Sequence, residues 1–356
     1  LLNIIAAILI FGCIVLIHEF GHFLLAKLNG IAVTEFSIGM GPKLCSITKG
    51  ETCYSIRCLP FGGFCAMVGE DSDDYGDKSF QSKPVWARIS VLAAGPIFNY
   101  ILAFLAAIVI VLMIGHDSAV MTDVMEGYPA AEAGLQAGDK ITKIDHMHID
   151  AYRDISMYLY THPGKTVTVT YQRPMGGVWE KGTTYEIRKT ELTPKYDDEY
   201  QSYMLGVILP GYEKVKNPAE LLRYSIYEVK YCISSTIESV GMLFRRQISA
   251  DEAVAGPVQV VGMMSDTVGE SREIGVGAIV FVVANWFLLL SASLGFLNLL
   301  PFPGLDGGRL VFLVIELIRG KPIDREKEGM VHAVGMVLLM AMMCFVMFHD
   351  ITKMIR

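Results

Sequence analysis

The chain has 356 residues, 52 % of them hydrophobic and 19 % charged, with a mean hydropathy of +0.42. That balance is too apolar for an ordinary soluble domain and too charged for a chain lying wholly in lipid, so membrane helices joined to at least one aqueous module are expected. A net charge of −7, with no strongly basic stripe, gives no support for nucleic acid as a partner, and none is expected.

Four segments are long and apolar enough to cross a hydrocarbon core, which takes about 20 helical residues. They run roughly over Leu1–Lys27, Arg88–Ile114, Val276–Leu300 and Val331–Ile351. The first is read as a retained span, because it exceeds a signal-peptide core and lacks a basic leading region and a cleavage site. Arg319, Lys321, Arg325 and Lys327 lie between the last two spans, and Lys27, Lys43, Lys49 and Arg57 lie in the first loop. Basic residues beside spans mark the cytoplasmic side, so the long segment between spans two and three is expected outside. Only Cys232 of the seven cysteines falls in that segment, which implies no disulfide framework.

After the first span, "KLCSIT" and "TCYSIRCL" alternate as strands do, followed by an acidic loop, "GEDSDDYGDK". The outer segment opens with a small α+β module: "KTVTVTYQR" and "TTYEIRKT" read as strands around a Gly176-Gly177 turn, and "DISMYLYTH" as a helix. From Asn217-Pro218 an apolar stripe at helical spacing runs to Leu243, suited either to packing on the module or to lying along the membrane surface. The expected order is span one over 1–29, a cytoplasmic or membrane-re-entrant β region over 30–87 and span two over 88–115. The outer module over 116–195 and a linker with an amphipathic helix over 196–275 come next. Span three over 276–305, a cytoplasmic loop over 306–330 and span four over 331–356 complete the chain.

The first span carries "HEFGH". Positions four apart share a helix face, so His18 and His22 can present imidazoles to one metal ion, with Glu19 beside them to take a proton from water. Ionisable groups at mid-bilayer cost roughly 2.5–3.5 kcal/mol on insertion scales and usually face an interior or a watery cavity. A set of polar groups satisfying one another at the membrane edge is the other reading. A zinc hydrolase site takes three protein ligands and leaves a position for water. Asp306, in "NLLPFPGLDGG", follows a span broken by Pro301 and Pro303, where freed backbone must line protein or a cavity. It is the best placed third ligand, although an ordinary turn aspartate also fits. Gly62-Gly63 in "PFGGF" allows close backbone approach, either for holding an extended substrate by strand addition or simply within a hairpin.

"HEFGH" and "NLLPFPGLDG" together resemble the two signatures of the site-2 protease family of intramembrane zinc metalloproteases. "EFSIGMGPKL", "LPFGGFCAMVGED", "KPVWARISVLAAGPIFN" and "GPVQVVG" extend the resemblance over essentially the whole chain. "YPAAEAGLQAGDKITKIDHMHI" resembles a bacterial PDZ domain, although Asp145-His146 stands where many such domains have an Asn-Gly turn. The resemblance implies a polytopic α-helical membrane protein of about four spans, with a membrane-associated β element and one extracytoplasmic PDZ-like domain, in a bacterial cell membrane. It implies Zn²⁺ held by His18, His22 and Asp306, with Glu19 as general base. It also implies substrate contact by the β element, Gly62 and Gly63 included, and substrate positioning by Asn298; for Asn298 and for Asn99 in "AGPIFN" a purely structural role stays open. The substrates implied are single-span membrane proteins, such as anti-sigma factors or remnant signal peptides, already shortened by an upstream site-1-type protease. A catalytically silent PDZ-bearing scaffold is the alternative, and intact His18, Glu19, His22 and Asp306 argue against it. Whether the PDZ-like domain binds carboxyl termini or excludes bulky ectodomains is open.

Overall fold

A computed structural model describes residues 2–70, 76–175, 179, 183–247 and 256–355; the expected Gly176-Gly177 turn and the centre of the acidic loop lie outside them. In chain order, helix α1 (Leu2–Leu28) leads into strands β1 (Val33–Lys49) and β2 (Thr52–Met67), then into helix α2 (Val85–Ile114). Strand β3 (Asp123–Val124), helix α3 (Pro129–Glu132), strands β4 (Lys140–Ile144) and β5 (Met147–His148), helix α4 (Tyr152–Thr161) and strands β6 (Val167–Pro174) and β7 (Tyr185–Leu192) follow. Then come β8 (Lys195–Asp197), β9 (Ser202–Met204), β10 (Val207–Ile208) and helices α5 (Pro218–Phe244), α6 (Pro257–Ile274), α7 (Val276–Leu299), α8 (Asp306–Arg319) and α9 (Arg325–Ile355). The chain forms two compact units, Leu1–Val109 with Arg246–Arg356, and Ile110–Arg245.

The first unit holds four helices apolar and long enough to cross a membrane, within α1, α2, α7 and α9. Large apolar side chains such as Leu9 and Phe348 are exposed on them, as lipid-facing surfaces require, while a helix satisfies its own backbone polar groups. Strands β1 and β2 pair antiparallel beside α1, with a ladder running from Val33↔Met67 to Ile38↔Gly63. Two elements depart from the expected layout. The segment expected as a loop over 306–330 instead begins with helix α8. Leu310, Leu313, Val314 and Leu317 recur at helical spacing with Leu313 buried, and Gly320, at φ 68°, closes the helix by donating to the Glu316 carbonyl. The linker expected up to 275 contains α6, whose first amides, on Gly256 and Gln259, donate to the Asp350 carboxylate of α9.

The second unit carries a four-stranded antiparallel sheet in the order β5-β4-β6-β7, over a core that includes Ile141, Ile144, Leu159, Val167 and Val169. The turn between β4 and β5 needs left-handed backbone, and Asp145 supplies it at φ 47°. Its carboxylate accepts from the Thr168 amide at 2.8 Å and the Tyr158 hydroxyl at 2.7 Å, which holds the Asp145-His146 turn without a glycine.

Helix α5 starts where Asn217 accepts from the Glu220 amide at 2.9 Å, with Pro218 in its first turn. It is tied to the sheet module through Arg153, whose guanidinium donates to Asp117 at 2.9 Å and to Glu228 at 2.5 Å and 3.0 Å. Burial opposes the arginine charge, but the two carboxylates outweigh it and hold Arg153 protonated well beyond its ordinary range. Removing the cation strands two buried carboxylates. Arg153→Met is therefore expected to destabilise the docking of α5 by roughly 3–5 kcal/mol. Faster amide hydrogen exchange across Pro218–Phe244 than in the unaltered protein reads that loss.

Candidate active site

Between Asn3 and Lys27, helix α1 is apolar except where His18, Glu19 and His22 stand. His18 and His22, one turn apart, are both buried, and their Nε2 atoms approach to 3.2 Å. The first residue of α8, Asp306, meets them: its Oδ2 lies 3.1 Å from His18 Nε2 and 3.4 Å from His22 Nε2.

The path to Asp306 follows from local sequence. Leu300 is extended at the end of α7, Pro301 and Pro303 prevent continuation, and Gly304 takes φ 97° before α8 restarts. A side chain on Gly307 would lie 2.2 Å from the Leu300 carbonyl oxygen, and one on Gly308 2.4 Å from that of Phe302. The two glycines thus let the first turn of α8 fold back against the broken segment, and the Gly304 amide donates to His332 of α9 at 3.1 Å.

The donor set fits zinc. Two neutral imidazoles and a carboxylate are ordinary zinc ligands, and tetrahedral bonds of about 2.0–2.1 Å place ligand atoms about 3.3 Å apart. The three separations here are 3.2, 3.1 and 3.4 Å. Asp306 Oδ2 faces both imidazole Nε2 atoms in a buried pocket, a convergence of three donor atoms that a cation would satisfy. His22 Nδ1 donates to the Val91 carbonyl at 2.9 Å, the outer contact that turns the Nε2 lone pair inward. Among the described residues this is the one cluster of three His, Cys, Asp or Glu side chains spaced to hold a metal ion.

His18, Glu19, His22 and Asp306 line a cavity of about 540 Å³ whose opposite wall is Phe64, Cys65, Ala66 and Met67 of β2. Gly63 sits at the rim, its Cβ position 3.6 Å from Glu19 Cγ, and Gly62 precedes it at φ 77°. Asn298, half-buried in the last turn of α7, is not among the residues lining the cavity. Neither is Asn99, which lies behind His18 with its amide against Nδ1. Sequence reasoning overlooked Gly95. A Cβ there would lie 2.3 Å from His22 Nε2 and 2.7 Å from His18 Cε1, so the backbone of α2 is itself a wall of the histidine pair. Gly21, inside "HEFGH", allows the same approach from α1, its Cβ position being 2.5 Å from the Ala94 carbonyl oxygen. The signal was present in the small-residue run "LAAGP".

Comparison with known proteins gives this arrangement a family: the model of peptidase family M50 matches residues 6–342. The chain belongs to peptidase family M50. The M50 protease is 35 % identical over 349 residues to a protein of Clostridium acetobutylicum, covering 98 % of this chain and 97 % of that one. It is 32 % identical to the zinc metalloprotease RasP of Bacillus licheniformis, over 99 % of each chain. It is 31 % identical to the regulator of sigma-W protease RasP of Bacillus subtilis, over 99 % of this chain and 98 % of that one. Among solved structures, the PDZ domain of an SdrC-like protein from Listeria monocytogenes is 26 % identical and covers 26 % of this chain and 88 % of its own, with a TM-score of 0.20. The M50 protease is thus a zinc metalloprotease of the site-2 type and a multi-pass helical membrane protein.

The close approach of α2 gives a direct test. Gly95→Ala places a methyl group where His22 Nε2 lies, and the expected result is a loss of at least about tenfold in zinc affinity with helical content unchanged. Metal analysis against a chelator, beside circular dichroism, checks it.

Proposed function

We propose that the M50 protease hydrolyses peptide bonds within or near the transmembrane segment of single-span membrane proteins, such as anti-sigma factors or remnant signal peptides, after a first cut has removed their outer part. The observation that carries this reading is the gathering of His18, His22, Asp306 and Glu19 around one cavity, inside a unit built of membrane-length helices. His18, His22 and Asp306 would hold a zinc ion, with Glu19 as the general base. Bound there, Zn²⁺ supplies a Lewis acid that activates water and polarises a carbonyl. The Glu19 carboxylate takes the proton from the attacking water and passes it to the leaving amine.

A helical substrate hides its peptide bonds, so the scissile stretch must be extended. The segment 63–67 of β2 pairs with β1 along one edge, and its other edge has no strand partner among the described residues. Residues 64–67 line the cavity, so a substrate strand added there would lie along the catalytic groups. Gly63 leaves room beside Glu19 for that main chain. Asn298 lies one turn before Pro301, in line for a supporting contact to substrate. Water is supplied from a second cavity of about 710 Å³, which shares Glu70, Leu92 and Arg309 with the first. Basic residues beside the spans at Lys27, Lys43 and Arg319 support a cytoplasmic side there and an extracytoplasmic PDZ-like domain.

The test compares purified wild type with Glu19→Gln on a tagged single-span peptide, with zinc measured on both. Wild type is expected to cut within the span, and Glu19→Gln to keep its zinc while losing at least about 10²–10⁴-fold in rate. Equal rates would remove Glu19 from the chemistry. Failure of both to cut a panel of shortened single-span peptides, each protein carrying one zinc, would favour the scaffold.

A further inference from the structure

Asn99 is completely buried in α2, and its amide nitrogen lies 3.2 Å from Nδ1 of His18. Its Oδ1 is also buried and has no hydrogen-bond partner. On the far side of the same ring, Nε2 faces Asp306 Oδ2 at 3.1 Å. A neutral imidazole has one N–H and one lone pair, so what happens at Nε2 dictates what Nδ1 must do.

Two arrangements satisfy the ring. With the hydrogen on Nε2, directed at Asp306, Nδ1 is an acceptor and takes a hydrogen bond from Asn99 Nδ2, which is the contact found. With the Nε2 lone pair given to a cation, the hydrogen moves to Nδ1 and needs an acceptor. A half-turn of the amide brings Oδ1 to that place with no change in side-chain shape, because the two ends of an amide are nearly isosteric. His22 has no such freedom: its Nδ1 donates to the Val91 main-chain carbonyl at 2.9 Å, which fixes one tautomer. Of the two histidines, His18 alone has an outer partner that can serve as donor or acceptor.

We infer that Asn99 is a positioning residue for the metal site: through Oδ1 it accepts from Nδ1–H of His18 and so holds the Nε2 lone pair toward zinc, and through Nδ2 it satisfies the opposite tautomer when zinc is absent. This assigns Asn99 to the second layer of the metal site and takes it out of substrate contact. The inference rests on His18 being a zinc ligand. Outer partners of ligating histidines commonly change metal affinity by about 10–100-fold when removed, so the effect is measurable without turnover.

The experiment measures zinc affinity of the full-length protein in detergent, by competition with a chromophoric chelator at fixed pH, for wild type, Asn99→Asp, Asn99→Leu and His18→Ala. Asparagine to aspartate keeps shape and offers only acceptors; leucine keeps bulk and offers none. Asn99→Leu is expected to bind zinc about 10–100-fold more weakly, and Asn99→Asp to match wild type within about threefold or to bind more tightly. Wild-type affinity in Asn99→Leu overturns the inference, as does equal weakening in both variants, which would mean packing alone. Where Asn99→Leu folds poorly, Asn99→Asp decides by itself: weaker binding than wild type contradicts an acceptor role. His18→Ala separates the two readings. If it holds zinc as wild type does, the assignment of the site fails; if it loses zinc while Asn99→Leu keeps it, only the role of Asn99 fails.

Discussion

The structure turns on bringing three ionisable side chains together where none could stand alone. His18, His22 and Asp306 sit among membrane-length apolar helices, and at that depth an unpaired charge is costly. Their separations of 3.1, 3.2 and 3.4 Å leave one small volume in which each meets the others. Everything nearby serves that meeting: the broken segment ending α7, the restart of α8 at Asp306, and the glycines that let backbone come close. A side chain on Gly95, Gly307 or Gly308 would occupy space that an imidazole or a carbonyl already fills.

The same packing sets what the site can admit. One wall is the histidine face of α1 and another is residues 64–67 of β2, so anything entering the cavity meets both. Two ion pairs stand on the side toward the second cavity, Arg309 with Glu70 and Arg88 with Glu316, each at 2.5 Å. They keep that route polar while the outer faces of the spans stay apolar. The second unit has its own core and its own clamp at Arg153.

Much of this was legible in sequence, for physical reasons that differ by residue. His18, Glu19 and His22 stood out because polar groups at a spacing of four interrupt an apolar run, and Asp306 because two prolines must break the helix before it. The start of α5 was legible in Asn217-Pro218, a cap followed by a residue that needs no amide donor. What stayed hidden depended on long-range partners. Helix α6 has an ordinary polar composition, and its first amides are met by Asp350, more than 90 residues away in sequence. Helix α8 was legible in principle from Leu310, Leu313, Val314 and Leu317, but Gly307-Gly308 and the following basic residues suggested a loop. Gly95 stands in the small-residue run "LAAGP" and Asn99 in "AGPIFN", but neither local pattern names a partner. Only the crossing of α1 and α2 gives them their neighbours.

The most direct test of the account is X-ray absorption at the zinc edge on the purified, zinc-loaded protein, with Asp306→Ala measured beside it. The account predicts nitrogen and oxygen neighbours only, at about 2.0–2.2 Å, with two imidazoles resolved by their outer scattering, and loss of bound zinc in Asp306→Ala. A sulfur neighbour at about 2.3 Å would bring Cys65, which lines the same cavity, into the site. That result, or full zinc occupancy in Asp306→Ala, would contradict the ligand set on which the rest depends.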